Sequence, residues 1–99
     1  MNSKQRSFLK GIAMTTEPIF QIGKSALTPE LTTAVGEALE KRELVKISVL
    51  QNCLDDPKDM AARLADRTQS EVVQVIGKKI VLYRQAKEEK HRKIVLPRV

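Results

Sequence analysis

The residues best suited to chemistry lie in one stretch, Ile19-Phe20-Gln21-Ile22-Gly23-Lys24-Ser25-Ala26-Leu27-Thr28-Pro29. It reads as a buried strand, a tight Gly-Lys-Ser-Ala turn and a helix start with Thr28 as cap and Pro29 at the first helical position. Such a turn directs backbone N–H groups and a lysine at one point, and the helix behind it adds the positive end of its dipole. That combination suits a phosphate. A P-loop needs two glycines flanking four residues and then Lys-Ser/Thr, and a dinucleotide fold needs Gly-x-Gly-x-x-Gly; Gly23-Lys24-Ser25-Ala26 satisfies neither, which argues against a tight nucleotide site.

What remains is a Gly-x-x-small loop at a strand-to-helix junction. It is similar in kind to the Gly-x-x-Gly loops with which KH domains hold the backbone of single-stranded nucleic acid. By itself the tetrapeptide fits equally well a glycine that only turns a corner. Basic residues supply context: Lys24 in the turn and Arg6 and Lys10 on the first helix can line one groove if that helix packs beside the loop.

Catalytic candidates are few. His91 is the one histidine and reads as a solvated residue of the C-terminal segment; Cys53 has no base near it in sequence and reads as a partly buried, inert thiol. The acidic cluster Asp55, Asp56 and Asp59 is accounted for by helix capping. Two His/Cys ligands are too few for a zinc site, and neither a metal nor a cofactor is expected.

The elements that must position the loop follow from periodicity. Ser3 can cap a helix over residues 4–16 whose Phe8, Leu9, Ile12 and Ala13 form a core stripe, and Pro18 ends it. Ile19 to Ile22 is a first strand, and Pro29 to Arg42 a helix burying Leu31, Val35, Ala38 and Leu39 under an acidic outer face (Glu30, Glu37, Glu40). Leu44 to Gln51 is a second strand. Asp56 caps a third helix opened by Pro57, with Asp59 placed as in a capping box. Glu71 to Ile76 and Lys79 to Arg84 flank Gly77-Lys78 as a hairpin. The predicted fold is α/β, in the order α-β-α-β-α-β-β: one domain over residues 1–84 with a mixed four-stranded sheet and three helices. The crossovers imply parallel pairing among the first three strands, and apolar residues on both sides of several strands imply helix cover on both faces.

The 99 residues, 41% apolar with two Phe, one Tyr and no Trp, allow one small aliphatic core. The lack of an apolar run near about 18 to 20 residues, or of a signal-peptide pattern, together with the single cysteine, predicts a cytoplasmic, reducing setting without membrane contact. Eighteen Lys plus Arg against twelve Asp plus Glu give +6, a balance that favours polyanions. Five basic residues (Lys87, Lys90, Arg92, Lys93, Arg98) and two acidic ones (Glu88, Glu89) follow Gln85, so residues 85–99 hold half of the excess. This segment is too charged to bury alone and reads as a basic, mobile or helical tail.

Several motifs then match together. Lys4-Gln5-Arg6, Ile22-Gly23-Lys24 followed by Leu27-Thr28, Ala38-Leu39-Glu40 leading to Glu43-Leu44-Val45-Lys46, and Val73-Gln74-Val75-Ile76-Gly77-Lys78 with Leu82-Tyr83-Arg84 resemble the CRM domain, the chloroplast RNA splicing and ribosome maturation module, in its bacterial stand-alone YhbY-type form. The resemblance spans about residues 3–84. It implies a fold related to the C-terminal domain of translation initiation factor three and a non-enzymatic protein that binds RNA and associates with large-subunit ribosomal precursors. Gly23 and Lys24 correspond to the first glycine and the lysine of the family's Gly-x-x-Gly loop, whereas Ala26 replaces its second glycine. Because alanine disfavours positive φ, the fourth position is expected at negative φ or in a shifted loop. The expected RNA contacts are Gly23, Lys24, Ser25, Ala26, Thr28, Lys4, Arg6, Lys10 and Arg84, in a monomer with no small-molecule substrate. The paucity of aromatics points to shape and backbone readout. The competing expectation is a protein-interaction module on ribosomal particles, with Ile94-Val95-Leu96 docking on a partner and RNA contact incidental.

Overall fold

In the computed structural model, which describes residues 1–98, the chain forms α1 (Ser3–Met14), β1 (Phe20–Ile22), α2 (Pro29–Arg42), β2 (Leu44–Val49), α3 (Pro57–Thr68), β3 (Glu71–Ile76) and β4 (Lys79–Tyr83), followed by a single 3-10 turn at Glu89–His91. The predicted α/β order, the three helices and the mixed four-stranded sheet are all present.

Helix starts follow local chemistry. Thr28 accepts the N–H of Leu31 through Oγ1 at 3.1 Å, with Pro29 first in α2. At α1 the cap is Asn2 rather than Ser3: Asn2 Oδ1 accepts from Gln5 N at 2.8 Å, and Gln5 Oε1 accepts from Asn2 N at 3.2 Å. A glutamine three positions on can close this reciprocal box. At α3, Asp56 accepts from Lys58 N at 3.2 Å, but Asp59 does not close a box. Its side chain is one methylene shorter than the Glu or Gln the box requires, and it pairs with Arg63 at 3.3 Å instead.

The strand order is β1-β2-β4-β3, with β1–β2 parallel and β2–β4 and β3–β4 antiparallel. The expected parallel pairing therefore holds for β1 and β2 only. β3 runs in the direction of β2, but β4 lies between them. Burial explains the insertion: Ile80, Val81, Leu82 and Tyr83 of β4 are all buried and take an interior position, while β3 leaves Glu71 and Ile76 exposed and takes the edge.

Both faces are covered. Val35 and Leu39 of α2 and Met60, Ala61 and Leu64 of α3 pack on Val45, Ile47, Ile80 and Leu82. Leu9 and Ala13 of α1 pack on the opposite face against Leu44, Val73, Val81 and Tyr83, with Ile94 and Leu96 beside them. Phe8, expected in the α1 stripe, is 42% exposed. Cys53 is buried with Sγ 3.7 Å from Met60 Sδ, which fits an inert packing thiol. No helix among the described residues is long and apolar enough to cross a membrane.

Residues 85–98, which read from the sequence as a mobile or helical tail, lie against the domain with only the 3-10 turn at Glu89–His91. The reason is Glu43, which is 0% exposed and has a φ of +66°. Its carboxylate accepts the N–H groups of Ala86 at 2.7 Å, Lys93 at 2.7 Å and Ile94 at 2.9 Å. Ile94 and Leu96 then reach the α1-side core, with Val95 between them 85% exposed, while Lys87, Lys90, Arg92 and Lys93 stay outside, so the segment packs without burying its own positive charge.

Candidate nucleic-acid interface

The loop after β1 lies at the end of the sheet where β1 and β2 finish and the β3–β4 hairpin turns. Ile22 O accepts Leu50 N–H at 2.8 Å, and Lys78 O accepts Val49 N–H at 2.7 Å. The Gly23–Ala26 loop and the Gly77-Lys78 tip thus flank the same two residues of the β2 exit. Lys24, Ser25, Lys78 and Lys79 are exposed there. Nothing in the sequence joins Lys78 and Lys79 to the loop, because the hairpin is over fifty residues away; the placement of β4 next to β2 unites them.

Ala26 N–H donates to Gly23 O at 3.0 Å, closing a four-residue turn, and Ala26 has a φ of +53°. The expectation of negative φ is therefore corrected. The methyl group is accommodated at the margin of the α2/α3 core, which offsets part of the left-handed strain. The loop keeps the conformation a glycine would take. Among the described residues, no protein acceptor engages the N–H of Lys24 or Ser25. Gly23 has ordinary φ; its contribution is space, since a Cβ there would lie 3.4 Å from Asn52 Oδ1 and 3.7 Å from Leu50 Cδ1.

Replacing Ala26 with glycine is expected to leave stability unchanged or raise it by up to about 1 kcal/mol, as relief of strain is opposed by the greater entropy of unfolded glycine. Gly77 has a φ of +55°, and a methyl group added there would meet no atom within 4 Å, so Gly77→Ala should cost about 1 kcal/mol from strain alone. Thermal unfolding of both variants checks the pair of signs.

The start of α2 offers less to an anion than its dipole suggests. Pro29 has no N–H, Leu31 N–H is taken by Thr28 Oγ1, and Glu30 brings a carboxylate into the first turn. Thr28 is thus a cap with its oxygen already engaged.

The remaining predicted contacts do not gather at the loop. Arg6 Nη1 donates to the carbonyls of Val72 and Val73, where the register of β3 shifts against β4. It therefore sits over the edge strand opposite β1, three strand spacings or about 14 Å across the sheet. Lys10 is exposed one turn further along α1. Lys4 is exposed in the first turn, next to Gln5, whose Nε2 donates to Pro97 O at 3.1 Å. Arg84 is turned inward: Nη1 donates to Thr68 O at 2.8 Å, Nη2 to Gly36 O at 3.0 Å, and Nη2 lies 3.6 Å from Glu40 Oε1. It ties α2, α3 and β4 together.

Glu40 is a second anchor of the C-terminal segment. A hydrogen bond with His91 Nδ1 at 3.0 Å, then the N–H groups of Lys87 and Glu88, hold its carboxyl down to about 2. His91 is accordingly part of this anchor and not merely solvated. Burial works to raise the Glu43 carboxyl, but its three backbone donors and the charge of Arg92 outweigh this and hold it below the usual range. Ile94 and Leu96 are occupied by the protein's own core, which removes two of the three residues expected to dock on a partner.

A three-helix, four-strand α/β domain with a Gly-x-x-small loop at the ends of β1 and β2 defines the structural class. Within that class the chain belongs to the CRS1/YhbY (CRM) domain family, whose model matches residues 1–84. It is 46% identical over 90 residues to the probable RNA-binding protein YqeI of Bacillus subtilis, covering 91% of this chain and 94% of that one. It is 33% identical to an RNA-binding protein of Haemophilus influenzae, covering 99% and 96%. The solution structure of the hypothetical protein SAV1595 from Staphylococcus aureus superposes with a TM-score of 0.78 at 44% identity, covering 98% of this chain and 99% of that one.

Proposed function

We propose that the chain is a non-catalytic RNA-binding protein that grips the sugar-phosphate backbone at the loop end of the sheet, acting as a cytoplasmic monomer on ribosomal RNA in large-subunit precursors. The observation that carries the binding role is the left-handed Ala26, which keeps the loop in its turn with the Lys24 and Ser25 N–H groups unengaged, at the end of the sheet where Lys24, Lys78 and Lys79 are exposed. Family membership and the names of the relatives support RNA as the ligand. The ribosomal target rests on the sequence resemblance to YhbY-type proteins.

Three cations and two amides are enough for a modest, salt-sensitive grip. On single-stranded RNA each phosphate contact contributes about 0.7 to the slope of log affinity against log salt. The Lys24→Ala, Lys78→Ala double variant is therefore expected to bind at least about tenfold more weakly at 0.1 M salt, with a slope reduced by about 1.4. Fluorescence anisotropy at several salt concentrations reads both quantities, and unchanged affinity rejects this end of the sheet. Crosslinking in cells followed by sequencing of the attached RNA tests the ribosomal target.

A further inference from the structure

The loop end is not the most basic part of the surface. Glu30, Asp55, Asp56 and Asp59 lie in the segments that enter α2 and α3 on that side and moderate its charge. The opposite end, where β2 begins and β4 finishes, gathers cations from two parts of the chain. Lys41 and Arg42 are exposed in the last turn of α2. Glu40 and Glu43 hold residues 86–94 against that turn through five backbone N–H groups, which brings exposed Lys87, Lys90 and Lys93 to the same end. The Gln5–Pro97 bond carries the chain on to exposed Arg98 beside α1.

Two carboxylates at this end are turned away from solvent. Glu43 is buried, and Glu40 is turned toward Arg84, His91 and the backbone. Glu88 pairs with Lys90 at 3.3 Å, exposed Glu71 lies 3.5 Å from the N-terminal ammonium, and Glu89 is exposed, so these three offset part of the charge of the six exposed cations without reversing it.

We propose that this end is a second RNA-backbone site, so that one molecule bridges two RNA segments. The inference rests on the RNA-binding reading above. It extends that reading to a surface built mainly by residues beyond the 84 that the family model matches. Glu43 and Leu50 bracket β2, and seven strand steps place the two ends about 23 Å apart. That exceeds the screening length of about 8 to 10 Å at ordinary salt, so the two ends act on phosphates independently. The two sets of exposed lysines stand at opposite ends of β2, which suits two separate segments rather than one continuous groove.

The test uses an eight-nucleotide single-stranded RNA and the full chain. Native mass spectrometry should show two oligonucleotides per protein, and mixed donor- and acceptor-labelled oligonucleotides should give energy transfer only when the protein is present. The triple variant Lys87→Ala, Lys90→Ala, Lys93→Ala should retain one oligonucleotide and lose the transfer. These side chains are exposed and the anchoring bonds are to backbone N–H, so the fold is retained, as circular dichroism would verify. The loop variant Lys24→Ala, Lys78→Ala should likewise retain one. Wild-type stoichiometry of one, or a triple variant that still binds two, overturns the second site. If the wild type binds one oligonucleotide and the loop variant abolishes it, the bridging inference fails while the proposed function stands. If the loop variant leaves that single binding event intact, both fail.

Discussion

Glu43→Ala is expected to lower unfolding free energy by about 3 to 5 kcal/mol, a large share of the roughly 5 to 15 kcal/mol available to a domain of this size. The substitution leaves three backbone N–H groups, those of Ala86, Lys93 and Ile94, without the acceptor that holds them. The left-handed φ of +66° at residue 43 would remain as strain without that compensation. Detachment of residues 86–96 would in turn uncover Leu44, Val81 and Tyr83, which Ile94 and Leu96 flank. At about 4 to 8 °C per kcal/mol, calorimetry should show a melting temperature lower by at least about 12 °C. A loss below about 1 kcal/mol would show that the C-terminal segment contributes little to the fold.

The same carboxylate sets an acid dependence. Its folded-state affinity for protons is held below the ordinary value of 4.5, so its stabilisation is complete above that value and disappears as the pH falls through the depressed folded value. Glu40, held at about 2, adds a loss of the same sign lower in the range. Glu43→Gln keeps an acceptor oxygen but turns an NH2 group toward one backbone donor. It should fall between wild type and alanine in stability at neutral pH, with a flatter decline below pH 4.5, leaving the Glu40 component in place.

Arg84→Lys should be the second large effect, about 2 to 4 kcal/mol at unchanged net charge. The guanidinium reaches Thr68 O, Gly36 O and Glu40 together, a fork that a single ammonium cannot reproduce. Arg84 Nε is already buried with no partner among the described residues, so the site has no spare polar capacity to absorb a further mismatch. RNA affinity of the folded fraction should stay within about twofold of wild type, because the charge is retained and the side chain faces inward. Chemical denaturation paired with anisotropy separates the two readouts. A stable variant with weakened RNA binding would reverse the assignment and return Arg84 to the interface.

Local physics made much of this protein readable from its residues. Thr28 with Pro29 and Asp56 with Pro57 determine helix starts by bonds of two or three residues' reach. The two-residue Gly77-Lys78 connection determines an antiparallel hairpin, and 3.6- and 2-residue periodicities determine the order of the elements. The loop at Gly23 to Ala26 is likewise local, and its position between β1 and α2 needs nothing beyond the sequence.

Tertiary structure decided which side chains face solvent and which are consumed inside. Arg6 and Arg84 look like any exposed arginine in sequence, but the acceptors that claim them lie 66 and 67 residues away for Arg6 and 16 and 48 for Arg84. Glu43 gathers backbone donors 43, 50 and 51 residues distant, which no periodicity encodes, and so turns a segment rich in charge into a packed part of the domain. The placement of β4 between β2 and β3 brings Lys78 to Lys24. The left-handed Ala26 was decided the same way: intrinsic preference opposes it, and packing of its methyl group against the core, with the turn closed on Gly23, holds it there.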